Sequence, residues 1–396
     1  MKTVILLLSI IMWAKISYCQ KHEIDASTIS NWPIIEGELI SNNGEYIYYT
    51  IINKERSKSK LIINSTKGQF YREFEGEIRA FFTQDSRYVV FIKREDTLCL
   101  INLAGGNDIY IPDVSSFNLP DGGTGQWLSY ITKDAELHIY DLKAGKKEEY
   151  QHVKNYQFSK SGNALLIDYT SKEDNIRKRY LKWVDLLNKR SFLIRSGYDV
   201  VAFSNYSFGY DEQELAFISQ DTIRNKISNS IWYYHLGMDS ARLCVSDYNK
   251  THEEGFEVKN SEILFSQNGD KIMFKLSHVQ QVKKPNKNLA NVDIWNYKDE
   301  FPQDKQLKDV VYEQNRDFVV VYNLNSGKLF RLEKECDGQW GRGYINLSYN
   351  SEYFITQNIV SFSEAYRLPK ERPDIYLTNT TDGLREQIAK EVFTAG

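Results

Sequence analysis

The chain has 396 residues, 50 of them basic and 53 acidic, for a net charge of −3. That near-balance, with no basic stripe, excludes a nucleic-acid surface or an electrostatic anchor to anionic membranes. Aromatic residues at 14% beside only seven prolines favour many half-buried strands.

Met1 to Cys19 reads as a signal peptide: Lys2 supplies a positive start, and Val4 to Trp13 is an apolar run. That run is about half of the ~20 residues that a membrane span needs. Ser17-Tyr18-Cys19 is a small-x-small cleavage site that leaves Gln20 first, and bulky Tyr18 argues against lipid attachment at Cys19. Cleavage removes Lys2 and Lys15, leaving 48 basic residues against 53 acidic and a net charge of −5. No later stretch reads as a membrane span, so the expected location is periplasmic or secreted.

Residues 20–38 read as a lead-in, with Asp25 placed to cap a short helical turn. From Leu39 a repeat takes over. Its clearest copy is Ser266-Gln267-Asn268-Gly269 followed by the strand Lys271 to Lys275. Other turns of this kind are Ser41-Asn42-Asn43-Gly44, Thr83-Gln84-Asp85-Ser86, Gly122-Gly123-Thr124-Gly125 and Ser159-Lys160-Ser161-Gly162. Weaker copies are Gly209-Tyr210-Asp211-Glu212 and Ser348-Tyr349-Asn350-Ser351. Ser and Asn satisfy their own backbone in such turns, and Gly supplies a positive φ.

The strands after these turns begin at 46, 88, 127, 164, 214, 271 and 353, at intervals of 42, 39, 37, 50, 57 and 82. The shorter intervals suit propeller blades of ~40–50 residues. The longer ones point to insertions, chiefly Ser277 to Ala290 and Glu300 to Arg316. Each copy has a second strand ending in Asn/Asp-Leu or a looser equivalent: Leu61 to Gly68, Leu98 to Gly106, Leu137 to Gly145, Leu181 to Lys189, Arg242 to Tyr248, Val320 to Gly327 and Ile375 to Gly383. The expected fold is an all-β propeller of about seven four-stranded antiparallel blades. The blades are expected near 39–74, 78–113, 115–152, 153–196, 200–250, 257–335 and 341–390.

Cys99, Cys244 and Cys336 remain after cleavage, an odd number without a CxxC, so no disulfide framework or zinc knuckle is expected. Cys99 and Cys244 read as equivalent positions of two repeats, too far apart to bridge. No catalytic, cofactor-binding or metal-ligating set emerges. His235 shares a strand face with Ile231 and Tyr233 and reads as a structural histidine, as does His138 near Asp141. His252-Glu253-Glu254 lacks the second histidine of a zinc helix, and Gly122 to Gly125 lacks the Lys-Ser/Thr and helix of a phosphate loop. Lys283, Lys284 and Lys287 read as an exposed loop.

The turn-and-strand unit resembles propellers of the prolyl oligopeptidase and dipeptidyl peptidase group and TolB-like propellers. Ile24 to Ser27 with Trp32, Ser230 to Asp239, and Val292 to Asp299 sharpen this to exported prolyl oligopeptidase-like (S9 family) proteins of Bacteroidetes type. The resemblance covers nearly all of the chain after Cys19. It implies a propeller followed by an α/β-hydrolase domain with a Ser-Asp-His triad. No Gly-x-Ser-x-Gly elbow is present, nor alternating strands and helices for a hydrolase sheet. Val392 to Gly396 reads as the place where a further blade strand begins, which leaves two readings open: a propeller whose catalytic partner lies outside this sequence, or a complete module.

The resemblance therefore implies a gating, substrate-selecting propeller that is not catalytic by itself. Its partner would be an α/β-hydrolase segment lying outside this sequence. The alternative is a free-standing TolB-like module with a periplasmic protein or peptide ligand. A carbohydrate-active propeller is disfavoured, because no blade turn offers the paired acids that glycoside chemistry needs.

Overall fold

A computed structural model describes residues 29, 32–53, 59–76, 78–173, 175–198, 201–223, 226–248, 253–279, 315–334, 352–358 and 374–390. The elements in them are strands, arranged as seven consecutive antiparallel sheets with the blade pattern of a β-propeller. Sheet 1 holds β1 (Ile34–Ile40), β2 (Tyr46–Ile52), β3 (Lys60–Ser65) and β4 (Tyr71–Glu75). Sheet 2 holds β5 (Ala80–Phe82), β6 (Tyr88–Lys93), β7 (Thr97–Asn102) and β8 (Ile109–Ile111). Sheet 3 holds β9 (Val114–Asn118), β10 (Trp127–Thr132), β11 (Leu137–Asp141) and β12 (Lys146–Tyr150).

Sheet 4 holds β13 (Val153–Phe158), β14 (Ala164–Glu173), β15 (Ile176–Asp185) and β16 (Arg190–Tyr198). Sheet 5 holds β17 (Ala202–Phe208), β18 (Glu214–Ile223), β19 (Lys226–His235) and β20 (Arg242–Ser246). Sheet 6 has β21 (Phe256–Val258), β23 (Lys271–His278), β24 (Asp317–Asn323) and β25 (Leu329–Arg331), with β22 (Leu264–Phe265) also paired to β23. Sheet 7 shows β26 (Tyr353–Asn358), β27 (Asp374–Asn379) and β28 (Arg385–Ala389).

The chain forms two compact units, Met1–Phe117 and Asn118–Gly396. In the first, Leu61 and Ile63 of sheet 1 pack with Val89, Phe91 and Cys99 of sheet 2. In the second, sheets 3 and 4 meet through Leu137, Ile139, Leu165 and Ile167. Sheets 4 and 5 meet through Leu166, Trp183, Leu215 and Phe217, and sheets 5 and 6 through Ile218, Ile231, Ile272 and Phe274. Met273, Val321 and Phe354 join sheets 6 and 7. In sheets 2 to 6 the middle strands are thus mostly buried. Val89, Val90 and Phe91 are each 0% exposed, where composition alone suggests half-buried strands.

All seven strand starts read from the turns fall on strand starts in the structure: β2, β6, β10, β14, β18, β23 and β26. The reason lies in the turn. The first Ser/Thr hydroxyl accepts the N–H of that strand's first residue: Ser41 from Tyr46 at 3.0 Å, Thr83 from Tyr88 at 3.1 Å, Ser159 from Ala164 at 3.2 Å and Ser266 from Lys271 at 2.9 Å. The fourth position is left-handed in each of these copies, even where it carries a Cβ, as at Ser86 (φ 58°), and also in the Gly209 copy at Glu212 (φ 56°).

The turns also lock neighbouring sheets together. Asn42 Nδ2 donates to Gln84 Oε1 at 2.8 Å, and Ser161 N donates to Glu212 Oε1 at 2.6 Å. Gly123 (φ 83°) approaches the turn of sheet 4 so closely that a Cβ there would lie 1.8 Å from the Ser161 carbonyl oxygen.

Three assignments differ from the sequence reading. β1 starts at Ile34, inside the expected lead-in, because a bulge between Glu36 and Leu39 with Gly37 at φ 65° lets the strand continue. Arg242 to Tyr248 contains the fourth strand of sheet 5, since β19 takes the third place. Cys99 on β7 and Cys244 on β20 are therefore not equivalent positions, though both are buried free thiols. Ser277 belongs to β23, where it pairs with Asp317, so it is not insertion. The signal segment, Asp25, His252, Lys283, Lys284, Lys287, Val292 to Asp299, Cys336 and Ser348 to Ser351 lie outside the described residues.

Candidate functional site

A polar cleft of about 140 Å³ opens where sheets 5 and 6 meet, lined by Asn229, Glu257, Val258, Lys259, Asn260, Ser277, His278 and Asn315. Strand ends build it. The register pairs Phe256 with His278 and Glu257 with Ser277, bringing β21 alongside the last turn of pleat in β23. The Asp247 carboxylate then stitches the two sheets together. It accepts Val258 N–H at 2.7 Å and Asn229 N–H at 3.0 Å, while Asn229 Nδ2 donates to the Val258 carbonyl at 2.6 Å.

The opposite wall depends on a bulge. Between Ser204 and Ser207 the register of β17 shifts, with Asn205 at φ 51°. This aims Ser204 Oγ and Asn205 Nδ2 at Asn260 Oδ1, at 2.9 and 2.6 Å. Lys259 Nζ is steadied 3.4 Å from Asp317 Oδ1.

Beneath the cleft lies an aromatic and cationic stack. The His278 ring stacks on Phe256 at 4.6 Å, inclined by 29°, and lies edge-on to Phe318 at 5.3 Å. The Arg331 guanidinium covers Phe256 and Phe318 at 4.9 and 5.1 Å, and Arg316 covers Phe318 at 4.8 Å. Rings clamped in this way give the imidazole a fixed orientation.

The chemistry on offer is hydrogen bonding: amides, a hydroxyl, an imidazole, one ammonium and one carboxylate. Serine-based acyl transfer needs a base touching the serine. Ser277 and His278 are consecutive on a strand, so their side chains leave opposite faces and this imidazole cannot take that proton. A cavity of ~150 Å³ takes one benzene-sized group, and whole-ligand pockets run to roughly 300–1,000 Å³. The cleft therefore matches a single residue-sized subsite.

The residues singled out from sequence lie elsewhere. His235 is exposed at the end of β19, its Nδ1 2.7 Å from the Leu236 carbonyl. Asp141 is not beside His138: its Oδ1 caps the turn through the N–H groups of Lys143 and Ala144, at 3.0 and 2.8 Å. His138 instead faces Glu136 and Glu149, a grouping separated in sequence by the β11–β12 hairpin. Glu253 is 3.4 Å from Arg331. Gly122 to Gly125 forms a turn against the neighbouring sheet. Asn229, Asn260, His278 and Asn315 carried no motif, because they converge only when two sheets stack. The register shift at Asn205 was equally silent.

No family model matches the chain, and no curated protein matches it. Solved structures similar to it include dipeptidyl peptidase 4 of Porphyromonas gingivalis, at 10% identity and TM-score 0.43, covering 90% of this chain and 53% of that one. The β-propeller domain of the trilobed protease from Pyrococcus furiosus is similar at 10% identity and TM-score 0.34, covering 92% of this chain and 100% of that one. An oligogalacturonate lyase in complex with manganese is similar at 10% identity and TM-score 0.37, with 88% and 86% covered. Among the described residues, no helix is long and apolar enough to cross a membrane.

Proposed function

We propose that this chain is the substrate-selecting propeller portion of an exported serine peptidase of the prolyl oligopeptidase type, and that it is not catalytic by itself. The observation that carries this reading is the cleft between sheets 5 and 6. It presents hydrogen-bonding groups in fixed orientations, yet its serine and histidine point apart. Such a surface recognises the polar backbone of a peptide without attacking it. The turn, Trp and lead-in motifs of the sequence support the family part of the reading, and the apolar segment ahead of Gln20 supports export.

The test uses the purified chain. It is expected to hydrolyse no proline-containing chromogenic peptide and to take no fluorophosphonate label. It is also expected to bind unlabelled proline-containing peptides in a titration, with affinity reduced at least tenfold by Asn260→Ala or His278→Ala. Stoichiometric serine labelling defeats the non-catalytic part. Peptide binding that is absent, or unchanged in both variants, defeats the recognition part and favours the free-standing module. Exported material is expected to begin at Gln20; an intact Met1 contradicts export.

A further inference from the structure

The β11–β12 hairpin of sheet 3 brings together three side chains from two classes of metal donor. His138 lies directly opposite Glu149 in the register, and Glu136 sits immediately before β11, two residues ahead of His138. One ligand atom from each of Glu136, His138 and Glu149 lies within 4.8 Å of the others. His138 Nε2 is 3.9 Å from Glu136 Oε2. We propose that Glu136, His138 and Glu149 form a binding site for one divalent transition-metal ion, of which Zn²⁺ is the representative.

The donor set fits that class. An imidazole nitrogen and two carboxylate oxygens suit zinc-like ions at ~2.0–2.2 Å, with a water completing four-coordination. Such bonds place neighbouring donors about 3.3 Å apart, against a present spacing within 4.8 Å, so the side chains close on the ion as it binds. The two carboxylates bring a charge of −2 to one spot, which a divalent ion balances. Nitrogen with oxygen also favours later first-row ions over Mg²⁺ or Ca²⁺.

The outer contacts already orient the ligands. His138 is stacked on Tyr130 at 4.9 Å and 6°, which holds the imidazole in one plane. Gln151 Nε2 donates to Glu149 Oε1 at 3.2 Å, leaving the other oxygen for the ion. Lys147, two residues from Glu149, lies over the Tyr140 ring at 4.9 Å and over the Tyr130 ring, which also stacks on His138, at 5.6 Å, so its charge is a neighbour of the site that the ion must outcompete.

The experiment titrates Zn²⁺ into the metal-stripped full chain by calorimetry, counting equivalents by elemental analysis after dialysis. His138→Gln and Glu149→Gln are each expected to lose one equivalent, or to weaken it at least tenfold. His235→Gln, at an exposed histidine outside the cluster, is expected to change nothing there. Glu149 is exposed, so its variant keeps the test valid if the His138 variant fails to fold. Equal stoichiometry and affinity in wild type and Glu149→Gln overturns the site, as does no saturable binding by the wild type. Either result leaves the three groups as a polar surface cluster without a metal.

Discussion

Replacing Asp168 by Asn removes the charge from a carboxylate that is 0% exposed and held by three side-chain hydrogen bonds. Arg179 Nε and Nη2 grip its two oxygens at 2.7 and 2.6 Å, and the Tyr206 hydroxyl donates to it at 3.1 Å. Arg179 also donates to the Val201 carbonyl at 3.0 Å, so one bidentate pair ties sheet 4 to the start of sheet 5. In the Asn variant an amide NH₂ faces the guanidinium, and a mostly buried cation loses its counter-charge. Breaking one side of a buried pair costs roughly 3–5 kcal/mol. At about 2 °C per kcal/mol for a large domain, the melting temperature should fall by roughly 6–10 °C.

The double variant Asp168→Leu/Arg179→Met tests the cause, because removing both charges also removes the desolvation that the pair must offset. It is expected to recover most of the loss, to within about 2 kcal/mol of wild type. Thermal unfolding followed by circular dichroism reads both. A fall below 2 °C in Asp168→Asn, or a double variant less stable than the single, would falsify the assignment of this pair as a buried tie between the sheets.

Three further outcomes are expected. Burial raises the Glu214 carboxyl above the usual carboxylate range, while the hydrogen bond from Tyr233 (2.5 Å) opposes the shift. Its stabilising contribution is then fully present below the unfolded carboxylate value of about 4.3 and lost as pH rises through the folded value. Glu214→Gln should flatten that part of the stability profile between pH 4 and 7, and a slope identical to wild type refutes it. Gly123→Ala meets the Ser161 carbonyl with a left-handed backbone, so a loss of at least about 2 kcal/mol is expected in urea unfolding; a neutral variant shows that this approach is slack. Burial pushes the thiols of Cys99 and Cys244 up to about 11, so neither should react with a disulfide reagent at pH 8 until the protein unfolds. Labelling of either one in the native protein, located by mass spectrometry, contradicts this.

The repeat was legible because its information is local. A Ser or Thr hydroxyl that caps the N–H five residues on, and a left-handed fourth residue, are properties of six adjacent residues. Ser266 and Gly269 therefore announced the start of β23 without any knowledge of its neighbours. Copies with Ser86 or Glu212 at the left-handed place were readable from the strand that follows them. What local pattern could not supply was the partner across a sheet or between sheets. The sequence does not separate the third and fourth strands of sheet 5, because Leu243-Cys244-Val245 and Leu98-Cys99-Leu100 read alike in isolation and only the pairing of β18 with β19 ranks them. The cleft required Asn229, Asn260 and His278 to meet through two stacked sheets, a strand bulge and one bridging carboxylate from Asp247. His138 met Glu149 because hairpin register sets them opposite, while its sequence neighbour Asp141 was drawn away to cap a turn. Side-chain hydrogen bonds within a turn fix where a strand begins; the stacking of one finished sheet on the next decides which of its polar groups become a site.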